Sequence, residues 1–203
     1  MVPEYSQLQT FIKYNKFTFK NDLEKIKAFF CELGFNQGLM NNWIKEIDWK
    51  VEDNGFVYTG CNLDANIIKL ENAQEIHIRP IILGMSKEIF NDLNNDILII
   101  EILFHTEEIY DFHKNRYKEW FLLVANNIAL ILKKYFFEFG IYLTDESTDM
   151  KPLNGFAYDN WSEVLTFDLA VIPDEYVDRY CNLPSNYFTT KIEGGICIYR
   201  DSG

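Results

Sequence analysis

The residues best suited by type to do chemistry are carboxylates and histidines around one apolar segment. Glu101 lies inside this segment, and His105 and Asp111 follow it. Carboxylates and imidazoles act as general acids and bases, and both bind divalent metals. Because active sites often lie where strands end, these three residues define a candidate centre for a carboxylate- or metal-dependent enzyme. Acidic residues at a helix start also complement the helix dipole, which is a purely structural role.

No standard motif supports that chemistry. The two nearest histidines, His105 and His113, are eight residues apart, whereas the helical zinc motif needs two histidines on one face at positions i and i+4. The acidic residues 145–149 would place Met150 and Phe156 at the sixth and twelfth positions of a calcium loop, where glycine and a carboxylate are required. The sequence also lacks a glycine-rich phosphate loop and a nucleophile elbow. We therefore assign no catalytic residue, metal site or cofactor, and favour a binding role over an enzymatic one.

Negative charge is concentrated in the last third of the chain. The formal net charge is −12, and residues 144–178 contain nine acidic residues and one basic residue, Lys151. A surface of this kind attracts cations and basic proteins and repels polyanions. We therefore expect a basic protein as the partner and exclude nucleic acid, since phosphate contacts supply most of the nonspecific affinity for nucleic acid.

Aromatic residues are interspersed with these acids. Aromatic anchors inside a charged rim contribute affinity and specificity at many protein interfaces. The alternative is that the aromatic side chains point into the core while the acids face solvent. The predicted partner-binding residues are Tyr158, Asp159, Trp161, Glu163, Asp168, Asp174, Glu175, Tyr176 and Asp178.

A small, acidic chain without catalytic motifs resembles the bacterial immunity proteins that inhibit basic toxins such as nucleases, often by acidic mimicry of the nucleic acid. The resemblance rests on charge, size and missing catalytic residues, and it covers no alignable motif. It therefore implies an inhibitor of a basic, nuclease-like toxin but transfers no residue roles. A further alternative is a homo-oligomeric structural module whose exposed aromatic residues pack against a second copy.

The N-terminal residues and the longest apolar stretch predict where the protein is located. The first ten residues do not show the basic start and apolar run of a secretory leader, so we expect a cytoplasmic protein. The longest uncharged apolar stretch, residues 120–132, is shorter than the ~20 residues of a membrane span. We therefore expect no membrane partner.

The hydrophobic pattern predicts an α+β fold in which an antiparallel or mixed sheet packs around one long buried helix. This helix covers about residues 110–139, because Tyr117, Phe121, Val124 and Ile128 recur at spacings of four and three. Two short N-terminal helices are predicted at residues 21–33 and 39–47. We expect a single domain over residues 1–203, in which the polar stretch at residues 144–153 is a candidate boundary.

Strands are predicted in the middle and at the end of the chain. Residues 97–104 are apolar without alternation except at Glu101, which indicates a central strand covered on both faces. Gly194-Gly195 between two alternating segments indicates a terminal hairpin. The other predicted strands are residues 55–60, 65–70, 75–83, 141–143, 156–158 and 163–172, and the hairpin strands are residues 187–192 and 196–200.

Overall fold

An antiparallel sheet organises the part of the chain that the computed structural model describes. The described residues are 3–15, 17–47, 50–51, 56–58, 66–69, 75–87, 95–145, 151–158, 161 and 165–201. Ten strands of these residues form the sheet, and two short strands form a separate hairpin. The strands of the sheet are β1 (Tyr5–Tyr14), β2 (Lys50–Val51), β3 (Phe56–Tyr58), β4 (Asn66–Lys69), β5 (Glu75–Met85), β6 (Asp96–His105), β9 (Ile141–Asp145), β10 (Leu169–Pro173), β11 (Tyr187–Ile192) and β12 (Gly195–Arg200), and the separate hairpin consists of β7 (Tyr110–Asp111) and β8 (Arg116–Tyr117).

Helices cover parts of both faces of the sheet. No helix of the described ranges is both long enough and apolar enough to cross a membrane. The helices are α1 (Phe19–Glu32), α2 (Gln37–Glu46), α3 (Thr106–Ile109), α4 (Glu119–Lys133), α5 (Lys151–Tyr158) and a 3-10 helix (Asp174–Tyr180).

The central strand is β6, which confirms the prediction for residues 97–104. The strand order is β11-β12-β10-β9-β1-β6-β5-β3-β2, and β4 pairs with β5 on the same edge as β3. Every residue of β6 between its two ends is buried. Ten residue pairs join β6 to β1, from Tyr5 opposite His105 to Tyr14 opposite Asp96. The two halves of the sheet therefore meet along this one long ladder.

The strand β1 is absent from the sequence prediction, because several of its buried residues are polar. Gln7, Gln9 and Thr10 are buried, and the Gln7 Nε2 atom donates to Thr144 Oγ1 at 3.4 Å. The Thr10 hydroxyl donates to the carbonyl of Gly140 at 2.8 Å. Polar residues that are buried on both faces hide the alternation that indicates a strand in the sequence.

Each face of the sheet has its own hydrophobic cluster. The first cluster joins Leu8 and Ile100 of the sheet to residues of α1, α2 and α4, such as Phe30 and Phe121. The second cluster lies on the opposite face and includes Phe11, Tyr142 and Phe167. The α+β class with an antiparallel sheet is therefore correct, and the sheet is covered on both faces.

The prediction of one long buried helix at residues 110–139 is wrong. The helix α4 has 15 residues, which corresponds to about 22 Å, and its Leu123 side chain is 69% exposed. The preceding residues form the β7–β8 hairpin, in which the Asp111 carboxylate accepts from the backbone N–H groups of His113 and Lys114. Such local side-chain bonds favour turns over helix. Asn115 completes the turn with a φ of 53°, a left-handed conformation that asparagine tolerates.

The prediction of two short N-terminal helices also needs correction. The strand β1 precedes both helices, and α1 has 14 residues, one fewer than α4. Both helices lie close to their predicted positions. Asn36 caps α2 by accepting from the N–H groups of Gly38 and Leu39, a role that asparagine often plays.

The C-terminal third contains one wrong strand and one confirmed hairpin. Residues 156–158 belong to the helix α5, where Pro152 occupies a first-turn position that proline tolerates. The hairpin of β11 and β12 pairs Ile192 with Gly195 next to the turn. The strands on either side of residues 144–153, β9 and β10, lie next to each other in the same sheet. Of the predicted strand at residues 163–172, residues 169–172 belong to β10, whereas residues 165–168 are not in a strand and residues 163 and 164 lie outside the described ranges.

Removing a buried aromatic ring from the central strand should strongly destabilise the fold. Phe104 is fully buried and its ring centroid lies 5.0 Å from that of Phe121. We expect Phe104→Ala to lower the free energy of unfolding by about 3–5 kcal/mol, as measured by urea denaturation. Phe188 is the matched control, since it is also a strand phenylalanine but is 52% exposed. Phe188→Ala should cost less than about 1 kcal/mol, and equal losses would contradict the assigned positions.

Candidate functional site

Three of the predicted partner-binding acids lie together on the 3-10 helix. Asp174, Glu175 and Asp178 are all exposed. The described residues contain no ion pair to any of these three carboxylates. The backbone N–H of Asp174 donates to the carbonyl of Gly194 at 3.0 Å, which attaches the helix start to the terminal hairpin. We name these three residues the acidic surface.

Two predicted aromatic anchors lie beside the acidic surface, and both are half-buried. The Tyr176 ring centroid lies 4.8 Å from that of Phe156, and the Trp161 centroid lies 5.0 Å from the same ring. The guanidinium of Arg179 lies 5.0 Å from the centre of the Trp161 ring. Burial and the neighbouring Glu175 carboxylate raise the pKa of Tyr176. Both aromatic residues therefore pack mainly into the second hydrophobic cluster and present only part of their surface.

A buried pair of tyrosines connects the 3-10 helix to the sheet. The hydroxyl groups of Tyr142 and Tyr180 lie 2.8 Å apart and share a hydrogen bond. Burial raises the pKa of both phenols, and for Tyr142 the nearby Tyr180 raises it further. Since Tyr180 is the last residue of the 3-10 helix, this bond fixes the acidic surface to the sheet.

The remaining predicted partner-binding residues lie either outside the described part of the chain or elsewhere in the fold. Asp159 and Glu163 lie outside the described residues, as does the side chain of Tyr158 at the end of α5. Asp168 precedes β10, whereas Asp174 follows it. Five extended residues span about 17 Å. The structure therefore separates Asp168 from the acidic surface along the full length of this strand.

Asp168 forms an ion pair with Arg200. Its carboxylate accepts from the guanidinium of Arg200, and its backbone carbonyl accepts from the Arg200 N–H at 2.9 Å. Burial raises the pKa of Asp168 and the Asp145 carboxylate adds to this effect, while Arg200 opposes it. Asp168 is therefore a largely buried, paired carboxylate, unlike the exposed acids on the 3-10 helix.

This ion pair lines a polar cavity of about 170 Å³ at one end of the sheet, which we name the sheet-end pocket. The start of β1, the ends of β6, β9 and β12 and the residue before β10 meet here, and the β7–β8 hairpin covers them. The Tyr117 hydroxyl donates to Ser6 Oγ at 3.0 Å, and Ser6 Oγ lies 3.1 Å from Thr106 Oγ1. The lining residues are Pro3, Ser6, Thr106, Tyr110, Asn115, Arg116, Tyr117, Asp145, Asp168 and Arg200.

Of the pocket residues, only Asp168 belongs to the sequence prediction. The others come from positions as distant as Ser6 and Arg200, and no spacing rule connects them. One sequence signal was present. Polar residues occupy five of the six positions from 111 to 116, which is typical of a turn and indicates the hairpin that covers the pocket.

The residues of the predicted enzyme centre do not form a common site. Glu101 is 5% exposed inside β6, and His105 lies four residues further along the strand, which corresponds to about 13 Å. The His105 ring packs against Tyr5, with centroids 4.9 Å apart, and Asp111 stabilises the hairpin turn. Within the described ranges, no three histidine, cysteine or acidic side chains are grouped so that they could hold a metal ion.

Comparisons of the chain with protein-family models, with curated proteins and with solved structures found no match. The function is therefore argued from charge, exposure and geometry.

The buried position of Asp168 predicts a characteristic pH dependence of stability. Because its pKa is raised in the folded state, the folded protein holds this proton more tightly than the unfolded chain. The stabilisation is complete below the ordinary Asp pKa of 3.8 and is lost as pH rises through the raised value. We expect the free energy of unfolding of the wild-type protein, relative to that of Asp168→Asn, to fall between pH 3.5 and pH 7. Urea denaturation across this range measures the difference, and a relative rise with pH would contradict the assigned environment.

Proposed function

We propose that this protein is an acidic, cytoplasmic binding protein that inhibits a basic protein partner, in the manner of an immunity protein acting on a nuclease-like toxin. The observation that carries the proposal is the acidic surface: three exposed carboxylates on one short helix, with no ion pair among the described residues. They belong to a chain with a formal net charge of −12.

Charge on such a surface acts mainly on the rate of encounter. Complementary charges steer a basic partner towards the interface and raise the association rate at low ionic strength. A basic nuclease already presents a cationic cleft for its substrate, so a fixed set of carboxylates competes for the same cleft. Nucleic acid itself is repelled by this surface.

Buried aromatic side chains support the helix that carries these carboxylates. Tyr176 and Trp161 pack around Phe156, and Tyr180 is bonded to Tyr142 beneath them. A surface that does not reorganise loses less conformational entropy on binding. We propose that the exposed parts of Tyr176 and Trp161 form apolar contacts beside the charges, and that Tyr158, Asp159 and Glu163 extend the interface.

A self-associating module is the second candidate, because β11 forms an edge of the sheet among the described strands. Four consecutive residues of β11, from Phe188 to Lys191, are exposed. Unpaired strand edges can pair with a second copy, although an edge lysine such as Lys191 opposes this. Light scattering distinguishes the candidates: the binding protein should have the 24.0 kDa mass of one chain, and a larger particle at low concentration would favour the module.

Reversing the charge of the acidic surface should weaken binding of the basic partner. We expect Asp174→Lys, Glu175→Lys and Asp178→Lys together to reduce the apparent affinity for the captured partner at least about tenfold at low salt, since like charges at an interface are strongly unfavourable. The immobilised wild-type protein and the variant are exposed to native-host lysate at low and high salt. Mass spectrometry identifies the retained proteins, and titration measures their affinity.

The control variant changes net charge equally at another place. Glu24→Lys, Glu46→Lys and Glu75→Lys alter exposed positions on α1, α2 and β5 and should leave capture nearly unchanged. Equal capture by the wild-type protein and the acidic-surface variant would contradict the proposal, as would the absence of any basic protein among those retained. If this chain is an inhibitor, the captured protein should slow bacterial growth when it is expressed alone. Co-expression of this chain should then restore growth.

A further inference from the structure

We propose that the strand β11 accepts an extended segment of the basic partner as an additional antiparallel strand of the sheet. This segment carries cationic residues next to the β11–β12 turn and apolar residues opposite Phe188 and Ile192. The inference rests on the proposed function and specifies how the partner binds beside the acidic surface. Backbone hydrogen bonds of an added strand give the contact a direction and a register, which charge attraction alone does not provide.

β11 is a free edge of the sheet among the described strands. It pairs with β12 on one side only, and its four consecutive residues from Phe188 to Lys191 are exposed. It has six residues, compared with two in β2 and four in β4 on the other side of the sheet. Six residues are the usual length of a strand in a sheet, so β11 can pair along its whole length with an added segment.

The hydrogen bonds of the hairpin decide which backbone groups of β11 face outward. A two-residue turn joins Ile192 to Gly195, and the residues that flank such a turn bond to each other. Bonded and non-bonded pairs alternate along an antiparallel ladder. Ile192 and every second residue before it therefore bond to β12, whereas the N–H and C=O groups of Thr189 and Lys191 point away from β12, towards the position of an added strand.

The side chains of every second residue of β11 form an apolar face. Residues that lie opposite each other in a ladder share a face, and Phe188 and Thr190 lie opposite Tyr199 and Cys197, which pack in the first hydrophobic cluster. Phe188 is 52% exposed on this face, and Ile192 packs against the same cluster. Because aromatic and β-branched cross-strand pairs are favourable, the segment places apolar residues here.

The opposite face of β11 lies on the side of the acidic surface. Lys191 lies opposite Ile196, which packs in the second hydrophobic cluster together with Tyr176 of the 3-10 helix. The N–H of Asp174 binds the carbonyl of Gly194, in the turn that follows β11. A partner that is attracted by the acidic surface therefore arrives next to this strand.

Charge favours a basic partner over a second copy of this chain. Two copies each carry a formal net charge of −12 and repel each other, whereas a basic segment is attracted. Exposed acids lie at the turn, since Glu193 directly follows β11 and Asp174 is bonded to the same turn. Like charges that lie opposite each other on two strands are unfavourable. The segment therefore carries its cations at the turn and a neutral residue opposite Lys191.

The test uses the synthetic peptide acetyl-Lys-Lys-Val-Thr-Val-Thr-Ile-Thr-amide, whose lysines lie at the turn and whose isoleucine lies opposite Phe188 in the antiparallel register. It is titrated into the ¹⁵N-labelled full-length protein and followed by NMR. We expect saturable binding. In the saturated complex, the amide hydrogens of Thr189 and Lys191 should exchange at least about tenfold more slowly with solvent, because they gain hydrogen bonds. Those of Phe188 and Thr190, which already bond to β12, should change far less.

Two altered peptides separate strand pairing from charge. Proline in place of the threonine opposite Thr189 removes a backbone donor but keeps both lysines, and it should weaken binding at least about tenfold. Glutamate in place of both lysines keeps the strand pattern and should weaken binding severalfold at low salt. This second difference should shrink at high salt, since salt screens exposed charges.

A pair of matched protein variants locates the binding on β11. Phe188→Ala should weaken the peptide severalfold, because it removes the exposed ring from the apolar face. Ile67→Ala removes a similarly exposed apolar side chain from β4 on the other side of the sheet and should leave the peptide affinity unchanged. Equal affinities of the two variants would contradict the assigned position.

Several further outcomes would overturn the inference. Protection of the Thr189 and Lys191 amides in the free protein that rises with protein concentration would identify a second copy as the occupant. Equal binding of the proline peptide would show that no strand is added, and tighter binding of the glutamate peptide would reject a basic segment. Absence of saturable binding would reject β11 as the site.

The proposed function fails separately from this inference. The peptide can pair with β11 while the acidic-surface variant captures the basic partner as well as the wild-type protein does, which contradicts only the proposed function. Charge-dependent capture of a basic protein without any protection of Thr189 and Lys191 by the peptide contradicts only the inference about β11.

Discussion

The ladder between β1 and β6 is the interaction on which the rest of the structure depends. It pairs ten residues of each strand, and each strand also carries one half of the sheet on its other edge. β1 pairs with β9, which leads to β10, β12 and β11, while β6 pairs with β5 and the strands beyond it. Both hydrophobic clusters are built on side chains from these two strands. The sheet-end pocket also depends on this ladder, because two of its lining residues lie there: Ser6 belongs to β1, and Thr106 directly follows β6.

A single short strand, β10, separates two electrostatic environments. Asp168 at its start is largely buried and engages Arg200, whereas Asp174 beyond its end is exposed and leads the acidic surface. A buried carboxylate is costly without a partner, so Arg200 is required where Asp168 lies. An exposed carboxylate keeps its hydration and remains able to interact with a partner at long range. The two ends of this strand therefore differ in the burial and in the pairing of their carboxylates.

Aromatic residues form much of the packing between these two ends. Phe156 contacts Tyr176, Trp161 and Phe139, and Tyr142 and Tyr180 share a buried hydrogen bond. Aromatic pairs of this kind add to the hydrophobic stabilisation. They also show that most of the aromatic surface in the acidic region faces inward, while the carboxylates of the 3-10 helix face out. The helix that carries these carboxylates is therefore attached to the second hydrophobic cluster through Tyr176 and Tyr180.

The sequence by itself determined those elements whose local pattern agrees with their final environment. The amphipathic spacing of α1, the apolar run of β6 and the glycine turn between β11 and β12 each show the correct element, because burial and local preference point the same way. Local pattern failed where tertiary structure decides burial. β1 buries Gln7, Gln9 and Thr10, and Gln7 and Thr10 find their hydrogen-bond partners in Thr144 of β9 and in Gly140 just before it. The apolar spacing before α4 suggested helix, yet the Asp111 side chain closes a turn there. Likewise, the sequence showed where the acids are concentrated, but only the fold separates Asp168 from Asp174. The fold brings Asp168 close to Arg200, Ser6 and Tyr117. These residues meet only because distant strands end at the same edge of the sheet.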